Sequence, residues 1–395
     1  MPLERFDLLI ASRELVRASN PPPGSPAVHA ASNVDLVLGP LPIYLVSIYP
    51  PPPCGLDPVL ATVRAVLPAY LSRFFPFAGR VVVRFTCGGY SLTVGTNHLL
   101  ADGRALIVLL NSLAEMARTG GGLSRGPLLD RSSLLVPRSP PRYSSLLDAE
   151  FDRFTPETMI NPLLAAAMER RVYRIDEADL AGLQKAASPG GGRRTSRFVA
   201  LCAHVWKLLA RAVGDSEPNC RMAWILEGRR CIEPSEGALD MYMGNVVTYT
   251  SREASVAAAA GAAMASVMSR DRLQELVDWV EVNKTAYKDG GKWTEAVNLG
   301  LGSPALVISG MLPFAIDGDL GFRKPRMVSP WLRHGRLGSA SMMAVPCPSG
   351  DGSWFMGGTR LWPRLVEVIE AGPESLLKPL TAVSLGFEAP HGSRL

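Results

Sequence analysis

The stretch Thr96-Asn97-His98-Leu99-Leu100-Ala101-Asp102-Gly103 joins two periodicities. Before it, Tyr90-Ser91-Leu92-Thr93-Val94 alternates as a strand; after it, Leu106, Leu109, Leu110, Leu113 and Ala117 recur at helical spacing. The junction predicts a strand that runs into a helix beginning at Asp102-Gly103 and ending at Gly120 to Gly122. His98 stands in that junction and is one of five histidines in 395 residues, with His29, His204, His334 and His391. A side chain that exchanges a proton near neutral pH is scarce here, and strand-to-helix turns are where folds present reactive groups.

Working outward, Val34-Asp35-Leu36-Val37-Leu38 reads as a loop and Ile43 to Tyr49 as a buried strand. Asp57-Pro58 reads as a helix start, Asp as N-cap and Pro at the first position, with a bend at Pro68. Val81-Val82-Val83 is a further strand. From Ser124 to about Pro156 the chain is rich in Ser, Pro and Arg, the composition of a crossover. Arg170 to Ile175 reads as a strand, Asp176 to Ala187 as a helix and Pro189 to Arg194 as a loop. Thr195 is then the expected cap of a helix whose apolar face carries Phe198, Cys202, Val205, Trp206 and Leu209. No repeat of fixed period occurs. The expectation is a mixed α/β fold in two halves: 1–145 with His98, a crossover at 146–165, and 166–395.

Apolar residues make up 47% and charged residues 19%, the balance of a soluble globular protein. The net charge of +5 suits an anionic small molecule, or equally a solvated surface with a slight excess of arginine. No basic run interleaved with aromatics points to nucleic acid. The six cysteines show neither a C-x-x-C pair nor metal-ligand spacing, which suits reduced thiols and a cytoplasmic protein. Glu4, Arg5 and Asp7 stand where a signal peptide would need an apolar run. Ala257 to Met268 is Ala-rich but short of the roughly 20 residues a membrane span requires, so a soluble helix and no membrane association are expected.

Two readings compete for His98 and Asp102. In one, Asp102 caps the following helix and His98 is a polar strand end. In the other, His98 is a general base whose orientation depends on a nearby fixed carboxylate. A metal site lacks the remaining ligands. No G-x-S-x-G stands at a strand-to-helix turn, since Gly122-Leu123-Ser124-Arg125-Gly126 fits the letters but follows a helix, and there is no phosphate-binding G-x-x-x-x-G-K-[ST] loop and no G-x-G-x-x-G after a strand.

The residues around the pair favour the second reading. His98-Leu99-Leu100-Ala101-Asp102-Gly103 resembles the HxxxDG motif of the BAHD family of plant acyl-CoA-dependent acyltransferases. Ser32-Asn33-Val34-Asp35 is similar to that family's "LSNLD" segment and Phe75-Pro76-Phe77-Ala78-Gly79-Arg80 to its "fpplAGR" step. Phe85-Thr86-Cys87-Gly88-Gly89 matches "F.CGG", Leu226-Glu227-Gly228-Arg229-Arg230 "vdgR.R", and Tyr242-Met243-Gly244-Asn245 "YfGN". Asp319-Leu320-Gly321-Phe322-Arg323-Lys324-Pro325 stands where the family carries "DFGWGKP". The matches occur in the family's order over most of the chain.

The resemblance implies two chloramphenicol-acetyltransferase-like domains with a central solvent channel. It implies no permanently bound cofactor, acyl-CoA as co-substrate, a small-molecule acceptor with a hydroxyl or amine, and a monomer. His98 would take the acceptor's proton. Asp102 would pair with Arg229 and lock the histidine loop while also capping the helix, since one carboxylate has lone pairs for both. Asp319 and Gly321 would support the channel from outside the catalytic centre. Ser196 and Arg197 at a helix start, and Lys324, are the candidates to face CoA phosphates; a solvated loop is the plainer reading of Lys324. Leu320, Phe322 and Arg323 depart from the family's Phe, Trp and Gly.

Only Val81-Val82-Val83-Arg84 separates Arg80 from Phe85, where the family carries a long stretch with several strands. A reduced first sheet with an exposed edge is therefore expected. This motivates the alternative of a homologue that binds ligand with little or no turnover. A carrier-protein-dependent condensation enzyme shares the histidine motif but usually has two adjacent histidines, whereas Asn97 precedes His98 here.

Overall fold

The structure is a computed structural model and describes residues 10–20, 30–38, 41–77, 80–132, 134–153, 168–188, 194–216, 218–233, 235, 237–255, 269–285, 293–294, 304–312, 314–332, 340–372 and 375–387. The expected Ala257 to Met268 helix, most of the Pro189 to Arg194 loop, Ala78-Gly79, His29, His334 and His391 lie outside these residues.

Local capping chemistry decides where several elements begin. Ser32 N and Oγ both donate to Asp35 Oδ2 at 2.8 Å, and Asp35 N donates back to Ser32 Oγ. This reciprocal capping turns the expected loop into a short helix, α1 (Asn33–Leu38). The strand β1 (Pro42–Tyr49) follows, its burial alternating so that Ile43, Leu45, Ser47 and Tyr49 face inward. Helix α2 (Leu56–Arg73) starts after Gly55, whose φ of 79° breaks the preceding chain. Asp57 therefore lies inside the first turn instead of capping it, and pairs with Arg84 at 2.9 Å.

Strands β2 (Arg80–Arg84) and β3 (Tyr90–Asn97) form an antiparallel hairpin. Helix α3 (Gly103–Thr119) begins where the sequence places it, with Asp102 Oδ1 accepting from Ala105 N at 3.0 Å. It ends at Gly120, which is left-handed at φ 69°. Its apolar stripe, including the fully buried Leu110 and Leu113, packs on the first sheet's core. Truncating either leucine to alanine costs about 2–5 kcal/mol.

The remaining elements are α4 (Leu146–Glu150), β4 (Asp152–Arg153), β5 (Glu169–Ile175), α5 (Glu177–Ala187), α6 (Arg197–Val213), β6 (Asn219–Glu227), α7 (Arg229–Ile232), β7 (Val247–Ser255), α8 (Arg270–Asn283), β8 (Trp293–Thr294), β9 (Ala305–Gly310), β10 (Met327–Leu332), β11 (Ala340–Pro346), β12 (Trp354–Leu361), α9 (Pro363–Glu370) and β13 (Lys378–Pro379). Helix α6 is capped by Ser196, whose Oγ accepts from Val199 N. Thr195, the expected cap, is engaged elsewhere: its Oγ1 donates to the Ala187 carbonyl at 2.9 Å.

Among the described residues two main sheets carry the architecture, with β4 and β8 as a separate two-stranded pair. The first has the order β10-β1-β3-β2 and is antiparallel throughout. The second has the order β13-β5-β12-β11-β9-β6-β7, with β9 parallel to both β11 and β6. Among the described residues β2 is one edge strand of the first sheet, and the other edge is supplied by β10 from far downstream, Trp331 standing opposite Tyr44. The first sheet is thus not built from residues 1–145 alone. Its core includes Leu45, Tyr70, Phe74 and Leu109, and the second core, under α6 and α9, includes Trp206, Trp224, Met222 and Leu306. Among the described residues no helix is long and apolar enough to cross a membrane.

Candidate active site

At the end of β3 the chain makes a tight turn. Asn97 Oδ1 accepts from Leu99 N at 2.9 Å, the Asn97 carbonyl accepts from Leu100 N at 2.9 Å, and His98 N donates to the Leu41 carbonyl at 2.7 Å. The turn sets His98, 8% exposed, into the wall of a cavity lying between the first sheet and the second. The cavity holds about 600 Å³ of empty space, counting its open mouth. Its lining is mostly apolar, with Ile43, Leu106, Ile225, Val247, Met311 and Phe314, and the polar groups His98, Tyr44, Arg104, Glu227 and Ser309 reach it. The Arg104 guanidinium lies 4.7 Å over the Phe314 ring and pairs with Asp240 at 2.9 Å.

Asp102 is fully engaged. Its Oδ2 accepts from Arg229 Nη1 at 2.8 Å and Val246 N at 3.1 Å, and its Oδ1 from Arg229 Nη2 at 3.0 Å and Ala105 N at 3.0 Å. These bonds join the start of α3 to the segment after β6, and none of them goes to His98. Arg229, itself buried, also donates to Glu227 and to the carbonyls of Tyr242 and Gly244. Burial alone would raise the Asp102 carboxyl, but the Arg229 guanidinium and the backbone donors outweigh it and hold it below the usual carboxylate range. The capping role and the ion pair coexist in one carboxylate.

His98 is held by Asn245. Asn245 Oδ1 lies 3.2 Å from His98 Nδ1, and Asn245 Nδ2 donates to the His98 carbonyl at 2.8 Å. Asn245 is tied in turn to Asp35 Oδ1, through its backbone N at 2.9 Å and through Nδ2 at 2.7 Å. Asp35 is wholly buried and pairs with Arg131 at 2.8 Å; Arg131 also donates to the carbonyls of Leu99 and Leu100. Burial pushes the His98 pKa below its ordinary 6.5, more strongly than its hydrogen bonds and the carboxylates of Asp102 and Asp35 raise it. At neutral pH the ring is therefore uncharged, and it faces a largely apolar cavity. Among the described residues no group of His, Cys, Asp and Glu is arranged to hold a metal ion.

His98, Asp102 and Arg229 thus come together, although Arg229 lies 127 residues beyond Asp102 in the sequence. Asp319 and Gly321 do not join them. The Asp319 carbonyl accepts from Arg118, Asp319 Oδ1 accepts from Gly321 N at 2.9 Å, and Gly321 has φ 92°. Arg118 lies at the opposite end of α3 from Asp102, about 24 Å away by helical rise. Lys324 and Arg323 are exposed on the same loop. Ser196 caps α6 and Arg197 pairs with Glu177, while the next residue, Phe198, packs on the cavity-lining Gly310. Asn245, Asp35 and Arg131 carry no role in the sequence reading. Asn245 and Asp35 lie in two of the quoted motifs, which is the signal that singles them out; nothing in the sequence singles out Arg131.

The sequence profile of the Transferase family matches residues 82–356. Hydroxycinnamoyltransferase 2 of Oryza sativa subsp. japonica is 28% identical over 302 residues, covering 71% of this chain and 64% of the rice protein. Hydroxycinnamoyl-CoA:5-hydroxyanthranilate N-hydroxycinnamoyltransferase HHT4 of Avena sativa is 28% identical over 300 residues, with the same coverage, 71% and 64%. The match therefore spans just under two thirds of these relatives' length. In three dimensions the chain is similar to F. graminearum TRI101 complexed with coenzyme A and T-2 mycotoxin. The TM-score is 0.67 at 12% identity, over 87% of this chain and 97% of that one, a likeness of fold. With the profile running across most of the chain and the site residues in the family's order, this chain belongs to the BAHD transferase family.

Proposed function

We propose that the chain is an acyl-CoA-dependent acyltransferase that moves an aromatic, hydroxycinnamoyl-type acyl group onto a hydroxyl or amine of a small plant metabolite, as a cytoplasmic monomer. One observation carries this reading: an imidazole oriented by Asn245, its pKa lowered by burial, at the wall of a largely apolar cavity between the two sheets. The free ring nitrogen, Nε2, takes the proton of the acceptor O–H or N–H as its heteroatom attacks the thioester carbonyl. The tetrahedral intermediate collapses, the C–S bond breaks, and the CoA sulfur leaves with the proton returned by the imidazolium, so no acyl-enzyme is needed. General-base help of this kind is worth roughly 10²–10⁴ in rate, and holding donor and acceptor in one cavity supplies proximity. Asp102 and Arg229 act on geometry, Asp319 and Gly321 support the channel from outside the catalytic centre, and Ser196, Arg197 and Lys324 are the proposed CoA-facing groups.

The test is release of free CoA thiol, with acylated product followed by mass spectrometry, from a panel of acyl-CoAs and acceptors. Turnover that falls roughly 10²–10⁴-fold in His98→Ala, with the fold retained, supports the reading. No turnover across the panel by a well-folded chain would instead favour a ligand-binding homologue.

A further inference from the structure

We infer that Asp35, anchored by Arg131, is the carboxylate that fixes which nitrogen of His98 carries the hydrogen, acting through Asn245. The inference rests on His98 being the base proposed above and goes on to say what orients it. The reasoning is a count of donors and acceptors. A carboxamide offers two N–H donors on nitrogen and an accepting oxygen. Asn245 Nδ2 lies 2.7 Å from Asp35 Oδ1 and 2.8 Å from the His98 carbonyl, and both partners can only accept. Its two hydrogens are thereby assigned. Turning the amide round would set its oxygen against two other oxygens.

The amide oxygen is left facing His98 Nδ1 at 3.2 Å, so that nitrogen must present a hydrogen, beside the hydrogen bond that the ring makes to the backbone of His98 itself. A neutral imidazole has one hydrogen, so Nε2 keeps the lone pair that a general base needs. Asp102 does not perform this task, because its accepting positions are taken by Arg229, Ala105 and Val246. Asp35 is suited to it: one oxygen receives both the backbone N and the Nδ2 of Asn245, and the other receives Arg131 and Ser32. Arg131, 8% exposed in its side chain, also binds the carbonyls of the two residues that follow His98, so one guanidinium pins the carboxylate and the loop together. Asp35, Arg131 and Asn245 are positioning residues, since none of them touches the reacting atoms.

The charged groups around the ring are Asp35 from α1, Asp102 and Arg104 from the start of α3, Arg131 from the crossover, Glu227 from the end of β6 and Arg229 from α7. Taking away the Asp35 charge, or the Asn245 acceptor, makes the imidazolium harder to form and moves the acid limb of kcat/KM to lower pH. The first measurement needs no variant: the ¹⁵N shifts of the histidine-labelled full chain at a pH where the ring is neutral, with His98→Gln assigning the resonance. A hydrogen on Nδ1 of His98 is expected; a hydrogen on Nε2 overturns the inference.

The second measurement compares Asp35→Asn and Asn245→Ala. The expected result is a kcat lower by about tenfold or more, with KM for donor and acceptor little changed and the acid limb displaced downward. Lower kcat with an unmoved acid limb and an unchanged tautomer would reduce these residues to supports of the fold and overturn the inference. Full turnover by His98→Ala would remove the base assignment, whereas the tautomer is read independently of turnover.

Discussion

Replacing Asp102 by alanine tests the joint between the start of α3 and the segment after β6. The change deletes both Arg229 contacts at 2.8 and 3.0 Å, the Val246 contact at 3.1 Å and the Ala105 cap at 3.0 Å. Breaking a buried pair from one side costs about 3–5 kcal/mol. Arg229 keeps Glu227 and two carbonyls, which favours the lower part of that range. Loss of the cap adds about 1 kcal/mol, giving an expected total of about 4 kcal/mol, a large share of the 5–15 kcal/mol that holds a typical domain. Asp102→Asn keeps the shape and part of the hydrogen bonding and is expected to cost about half as much. Arg229→Met added to Asp102→Ala removes the stranded cation, so the double variant should be less destabilised than the two single losses added together. Urea titration followed by tryptophan fluorescence, with m values compared, reads these differences. A loss below about 1 kcal/mol in Asp102→Ala, the scale of an exposed pair, would refute the reasoning.

Burial holds His98 below 6.5, so kcat/KM should stay on its plateau as the pH passes 6.5 downward and fall only when the ring protonates at lower pH. An inflection above 6.5 would contradict this. The folded values of His98 and Asp102 both lie below their ordinary ones, so the unfolded chain binds these protons first. Stability is therefore present above the unfolded values and lost as pH falls, from about 6.5 for the histidine and from about 3.8 for the carboxyl. Urea midpoints across the acid range measure it, and a flat profile would count against it. In Gly95→Ala the new Cβ would stand 2.5 Å from the ring of Tyr44, a rigid group that lines the cavity. A loss of about 1–3 kcal/mol with an altered acceptor KM is expected, and a variant unchanged in both melting and KM would show that the ring is free to move.

What the sequence made legible was local. Helix α3 runs from Gly103 to Thr119 because both signals, an Asp side chain at one end and a left-handed glycine at the other, act within one turn of the residues they control. The errors were local as well: Thr195 loses the cap of α6 because its hydroxyl finds Ala187, and Ser32 with Asp35 winds a helix where a loop was expected. The Asp102–Arg229 pair came from resemblance to a family and not from spacing. The partners of His98 were out of reach for a physical reason. Asn245, Asp35 and Arg131 meet only when α1, the crossover and the segment before β7 converge, and no periodicity in any one segment encodes that meeting.

The placement of β10 beside β1 bears on how the protein is made. The sheet that carries the histidine strand takes one border from Met327–Leu332, paired from Ile43 opposite Leu332 to Ile48 opposite Met327. During synthesis the amino-terminal half emerges with β1 bare along that side, and it stays so until residue 332 has left the ribosome. Such an interval invites mispairing with other nascent chains. Cutting the gene at the crossover would make the interval permanent, so the halves should be recovered together or not at all.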